Sequence, residues 1–257
     1  MSASLLLTDI SFTIDVPLLA KAVHLPTDPA ENRSDWADLE ALAARALAVG
    51  RPKAMYRPGR ITARRADAIV VDDGIELCSH TLASVVGDEE RLWFFCATCG
   101  TEVLALAEGL DIFQQYWLEE IKMVMLRAAN AHLAMTIRKA HDLSRLSGMG
   151  PGSGDAGVWD ISELAKVFQA LGRETTDAAG VILTESMLML PNKTSAGVHF
   201  PLNRKFATCQ LCHRDKCPNR RAQFDHDLWS ATMTDRKTGE NRSDCGQGNQ
   251  PACSSLA

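Results

Sequence analysis

The chain has 257 residues, 46% of them hydrophobic and 23% charged, with a formal net charge of −5. That length buries a substantial core in one large or two small domains, and the composition is that of an ordinary soluble protein. The acidic balance excludes a chain-wide basic surface for nucleic acid, and no apolar run reaches the length that spans a bilayer. Met1 to Asp9 holds neither a basic leader nor an export-length apolar segment, so a cytoplasmic protein without a membrane role is expected. The eight cysteines do not suit a disulfide scaffold in a chain of this size. Grouped cysteines here read as metal or redox ligands.

In chain order, Ile10, Phe12, Ile14 and Val16 alternate with polar neighbours, which predicts a half-buried strand. Ser34 is placed to cap a helix whose apolar face is Leu39, Leu42, Ala43, Ala46 and Leu47, with Gly50 ending it. Strands are predicted over Lys53–Thr62, Ala68–Val71, Ile75–Cys78 and Leu92–Cys96, with a short helix near Thr81–Val86 before the last of them. Glu102 to Leu146 has helical periodicity broken at Gly109, and the apolar Ile112, Ile121, Val124, Met125 and Leu133 predict a core helix. Ser144 to Gly157 reads as a Gly/Ser-rich loop around Gly150-Pro151-Gly152, entered from that helix. A second helix is predicted over Ser162–Leu171. Val181 to Leu183 predicts a buried strand, which places Glu185 inside an apolar stretch where a carboxylate needs donors or a ligand. Short strands mixed with helices, without regular alternation, give an α+β fold on a mostly antiparallel sheet.

Cys209, Cys212 and Cys217, the last followed by Pro218, have a spacing that lets thiolates converge on one metal. Three ligands leave a fourth place, for which Cys99 is the first candidate, with Cys96 and Cys78 after it. Cys96 also reads as a small inert core residue. Both an iron–sulfur cluster, favoured by Pro218, and zinc fit the pattern. Arg204, Lys205, Arg214, Lys216, Arg220 and Arg221 surround the cysteines as a solvated basic rim or a docking face for an acidic partner. Phe206, Phe224 and Trp229 are too few to support base stacking, so nucleic acid is not an expected partner. The chain from 230, including Cys245 and Cys253, reads as an unstructured tail.

The segment Leu183-Thr184-Glu185-Ser186, Met189, Pro191, Ser195, Gly197, Phe200, Pro201 resembles a segment of the activation domain of cobalamin-dependent methionine synthase. The Gly150-Pro151-Gly152 turn and the helix after it resemble a second motif of that family. The resemblance is specific from about Met149 to Pro201 and general before that. It implies an activation-domain-like unit over 1–203, followed by a cysteine-rich segment over 204–229. It further implies that Gly150, Pro151, Gly152, Thr184, Glu185, Ser186, Met189, Ser195 and Gly197 line a cofactor cleft. In the family the turn contacts S-adenosylmethionine through an arginine four residues before the glycine and a tyrosine just after it. Gly148 and Ser153 hold those positions here.

The chain has no corrinoid-binding Asp-x-His-x-x-Gly motif, so the cobalamin would belong to a separate corrinoid protein or methyltransferase, supplied by an electron donor. The resemblance therefore implies an accessory factor that reductively reactivates a partner's corrinoid, with S-adenosylmethionine and the cysteine cluster as its own cofactors. The alternative is a non-catalytic, zinc-stabilised module of the same descent that docks on a partner.

Overall fold

The computed structural model describes residues 3–217 and 219–238, the last six of these as backbone only. After a short strand, β1 (Leu5–Leu7), residues 9–15 form no ladder, contrary to the strand their alternation predicts. Ile10 buries against one cluster while Phe12, Ile14 and Val16 pack against another, so the alternation serves two cores. Asp15 then caps α1 (Val16–Ala22), its carboxylate accepting the Leu18 N–H, with a proline in the first turn where no donor is missed. The cap of α2 (Arg33–Val49) is Asn32, not Ser34.

The strands β2 (Lys53–Arg64), β3 (Ala68–Val71), β4 (Ile75–Cys78) and β5 (Arg91–Thr98) lie where the apolar runs predict them. Between the last two sits α3 (His80–Val86), capped by Ser79. The long helix α4 (Ile112–Ala140) starts at an Asp111/Gln114 capping box. It stops at Ala140, short of the predicted Leu146, because Leu146–Met149 is a strand, β6. Then follow α5 (Leu164–Leu171), α6 (Arg173–Ala179), the two-residue strands β7 (Ile182–Leu183) and β8 (Met189–Leu190), β9 (Thr194–Pro201) and α7 (His226–Thr238). Residues 230–238 are thus helical rather than an unstructured tail. Cys245 and Cys253 lie outside the described residues.

The sheet order is β4-β3-β2-β5-β9-β6, with β1 on β2, and every pairing is antiparallel. This is the α+β arrangement the sequence predicts. Its two faces divide β5 residue by residue. Leu92, Phe94 and Cys96 face a core built with α3, α5 and the last third of the chain. Trp93, Phe95 and Ala97 face Leu126, Ala129, Leu133 and Ile137 of α4. The front half of α4 packs with α1 and α2 in a third cluster that includes Cys99. Phe206, Leu211, Leu228 and Trp229 of the cysteine-rich segment all join the first core, so that segment is woven into the fold. No helix among the described residues is long and apolar enough to cross a membrane.

Candidate functional site

The Gly150–Asp155 turn leaves the end of β6, an edge strand paired to β9. A strand therefore precedes it, where the sequence predicts a helix. Just past the Met149–Val198 pair the two chains pinch together. A Cβ on Gly150 would lie 2.6 Å from the Ala196 carbonyl oxygen. A Cβ on Gly197 would lie 2.7 Å from Gly150 Cα and closer still to the Met149 carbonyl. Both glycines are thus demanded by the crossing of two backbones. The turn closes on itself: Ser153 donates from N–H (3.1 Å) and Oγ (2.5 Å) to the Gly150 carbonyl, and Gly152 N–H donates to the Trp159 carbonyl with φ at +75°. Pro151 at its apex is buried.

The cysteine-rich segment is fastened to this turn by Asp155. Its N–H donates to the Leu211 carbonyl (3.0 Å), while its carboxylate accepts from the His213 N–H (2.9 Å), from His213 Nδ1 and from Trp229 Nε1 (3.2 Å). Phe224 covers the His213 ring at 4.0 Å, and Trp229 meets it edge-on at 5.1 Å. The Phe224 and Trp229 rings thus pack on His213 within the segment. Burial pushes the Asp155 carboxyl up, but the hydrogen bonds and charge of His213 outweigh this and hold it below the usual carboxylate range.

Cys209, Cys212 and Cys217 lie on one loop, and the group inside that loop is Arg220. Its Nη1 donates to the carbonyls of Cys209 (3.3 Å) and Ala222 (2.9 Å), and its Nη2 to those of Cys212 (2.8 Å) and Arg214 (2.8 Å). One planar fork thus ties four backbone carbonyls of the segment together. Among the described residues no three His, Cys, Asp or Glu side chains stand together as metal ligands. Cys99, the expected fourth ligand, has no exposed surface, lies in the α1–α2–α4 cluster and turns its thiol to the Gly100 carbonyl. Burial pushes the Cys99 thiol up to about 11, and that of the equally enclosed Cys96 to about 12. Cys78 lies elsewhere, its sulfur 3.6 Å from Lys166 Nζ. As arranged, the described residues do not assemble the ligand set of an iron–sulfur cluster or a zinc site; the guanidinium beside the cysteines holds their backbone carbonyls.

The Thr-Glu-Ser motif forms the tip of the β7–β8 hairpin. Thr184 Oγ1 accepts the Leu188 N–H (3.0 Å) and meets Ser186 Oγ at 3.0 Å, which holds the tip closed. Glu185 faces solvent, and Ile182 is 60% exposed, so the predicted buried strand with an enclosed carboxylate is corrected. The apolar run misled because only alternate residues of it go inward. Val181 is buried, and Leu183, Met187 and Met189 pack on the first core. The hairpin feeds directly into β9, so hairpin and turn flank the first half of that strand. Ser195, on the α4 side of β9, donates to Asn130 Oδ1 of α4 at 3.1 Å.

Farther along the same face stands His199, which sequence reasoning passed over. Its ring stacks on Phe95 at 4.1 Å, its Nδ1 lies 3.2 Å from the Ser147 carbonyl, and its Nε2 is enclosed without a partner. A Cβ on Gly148 would come within 2.5 Å of the ring. Gly148 and His199 therefore form a matched pair, and an arginine could not stand at 148 with this histidine in place. The signal was the glycine itself, at the position where the family has its arginine. Burial, reinforced by the nearby charge of Arg221, depresses His199 to about 4.

A pH dependence follows. Because His199 binds its proton less readily folded than unfolded, its contribution to stability is complete above the unfolded value near 6.5. It is lost as pH falls toward about 4. The Asp155 carboxylate adds a loss at still lower pH, below its ordinary range. The denaturant midpoint is expected to decline from about pH 6.5 downward, and His199→Gln is expected to flatten that decline. A midpoint constant across this window would contradict the burial of a neutral imidazole.

Neither the protein-family models nor the curated proteins contain a match to this sequence. Solved structures do match. One is the crystal structure of the MetH reactivation domain bound to AdoHcy, superposing with a TM-score of 0.55 over 81% of this chain and 82% of that one. The chain has the reactivation-domain fold. Sequence identity over that match is 15%, so the likeness is one of architecture.

Proposed function

We propose that the chain acts on a separate corrinoid protein as a reactivation-domain-like accessory factor, with an S-adenosylmethionine-class ligand beside the first half of β9. The observation that carries this reading is the correspondence of fold over four-fifths of the chain with a domain solved bound to AdoHcy. The glycine turn and the Thr-Glu-Ser hairpin flanking β9 support it. In such chemistry the partner's corrinoid supplies a reduced cobalt that accepts a methyl group. This chain's own part is to bind the methyl donor, present a cleft and admit an electron from an external donor.

With Gly148 against His199, the donor's carboxylate needs another cation. Arg221 is exposed and its charge reaches His199. We assign it that task. Calorimetry is expected to detect binding of S-adenosylmethionine or AdoHcy to the purified chain, weakened roughly tenfold by Arg221→Ala, the size of one charge-assisted hydrogen bond. The chain should also accelerate formation of methylcobalamin on an oxidised corrinoid partner supplied with S-adenosylmethionine and a reductant. No binding and no acceleration would overturn the reading.

A second reading is favoured by Gly148 itself: a module that docks on the corrinoid partner without holding the methyl donor. The described cysteines do not assemble a zinc ligand set. It predicts partner binding that S-adenosylmethionine does not alter.

A further inference from the structure

We propose that Cys209 and Cys212 are a reversible dithiol–disulfide pair, a redox site distinct from the corrinoid-facing cleft. The function above leaves these cysteines without a task, because no ligand group for a metal stands around them. Their backbone arrangement suits a different one. Cys209 lies in the 3-10 turn Thr208–Leu211 and Cys212 is the residue that ends it. The pair thus has the Cys-x-x-Cys spacing of dithiol–disulfide motifs, with the first cysteine in the turn and the second leaving it in extended conformation.

Both ends of the turn are pinned. Leu211, buried between the two cysteines, gives its carbonyl to Asp155, and the carbonyls of Cys209 and Cys212 are held by the two arms of Arg220. Both thiols are half-exposed, whereas Cys96 and Cys99 have no exposed surface. The two are also unequal. The Arg221 N–H donates to Cys209 Sγ at 3.4 Å, which favours negative charge on that sulfur and makes it the attacking one.

The co-reactant is a low-molecular-weight disulfide. The Cys209 thiolate attacks one of its sulfurs, forming a mixed disulfide and expelling one thiolate. Cys212 then gives its proton to solvent and attacks the Cys209 sulfur, expelling the second thiolate. The chain loses two electrons and two protons, and the external disulfide gains the two electrons.

The test uses the full chain, reduced and then equilibrated in glutathione buffers of graded ratio, alkylated and digested with trypsin. Cleavage after Lys205 and Arg214 isolates a peptide, 206–214, whose only cysteines are Cys209 and Cys212. In oxidising buffers this peptide is expected to escape alkylation and to lose two hydrogens, and Cys217→Ser should leave that behaviour unchanged. Cys212→Ser should arrest as a glutathione adduct on Cys209. Cys209→Ser should slow consumption of the disulfide about tenfold or more. A link that joins Cys217 instead, a peptide that stays fully alkylated in every buffer, or stoichiometric zinc or iron that shields these thiols would each overturn the proposal. Neither a corrinoid nor S-adenosylmethionine enters the assay, so its outcome is separate from that of the proposed function.

Discussion

Arg220→Met is expected to destabilise the protein by about 3 kcal/mol and to release the segment 207–225. The substitution keeps the apolar stem of the side chain but leaves the carbonyls of Cys209, Cys212, Arg214 and Ala222 without their shared donor. Hydrogen bonds from a charged group contribute about 1.5–3 kcal/mol each, and water entering the half-exposed loop recovers part of the four. For a chain of this length, a loss of 3 kcal/mol corresponds to a fall in Tm of roughly 6–12 °C. Arg220→Lys should recover little, because an ammonium cannot hold two pairs of carbonyls in one plane. Hydrogen exchange followed by mass spectrometry separates this local release from global unfolding. If protection across 207–225 survived in Arg220→Met, the guanidinium would not be what holds the loop, and a metal would again have to be considered.

Gly197→Ala is expected to cost about 3 kcal/mol or more. The obstacle is backbone on both sides, the Met149 carbonyl and Gly150 Cα, and neither can swing aside without breaking the β6–β9 pairing. Gly148→Ala is the comparison. The atoms in its way belong to the His199 ring, a side chain that can turn, so the loss should be smaller. Denaturant titration of both variants orders them. Equal costs would mean that the pinch between β6 and β9 is softer than its geometry implies. The pair also bears on the family likeness: Gly150 and Gly197 match the motif positions, yet each has a sufficient reason in the crossing of two chains.

Much of the first hundred residues was legible. The strands β3 to β5 carry short apolar runs bounded by turn residues, and local pattern and tertiary packing agree there. The last third was harder for a physical reason. The strand β9, next to the sheet edge, reads Thr-Ser-Ala-Gly-Val-His-Phe-Pro, and its partner β6 reads Leu-Ser-Gly-Met. Neither has a strand-like composition, because close backbone approach rather than side-chain packing selects their glycines. Pairing with β5 makes β9 a strand, and that is a long-range fact. The reverse error occurred at Val181–Leu183, where a β-branched run predicts burial but ends in an exposed two-residue hairpin.

The candidate site was legible in its parts and not in its assembly. The glycine turn and the cysteine loop could each be picked out. Their joining through Asp155 depends on a carboxylate, a histidine and a tryptophan spread over 74 positions. The cysteine spacing suggested a metal because spacing reports which ligands are available, not whether the fold brings their side chains together. Arg220 read as one of six basic residues on a rim, and nothing local marks it as the one turned inward.

The position of β9 between β5 and β6 also bears on how the chain is made. Both of its neighbours leave the ribosome first, so for about a hundred residues of synthesis β5 offers an open row of amide and carbonyl groups, with nothing in the nascent chain yet able to cover it. β9 reaches that edge only after β6, α5 and α6 have been made.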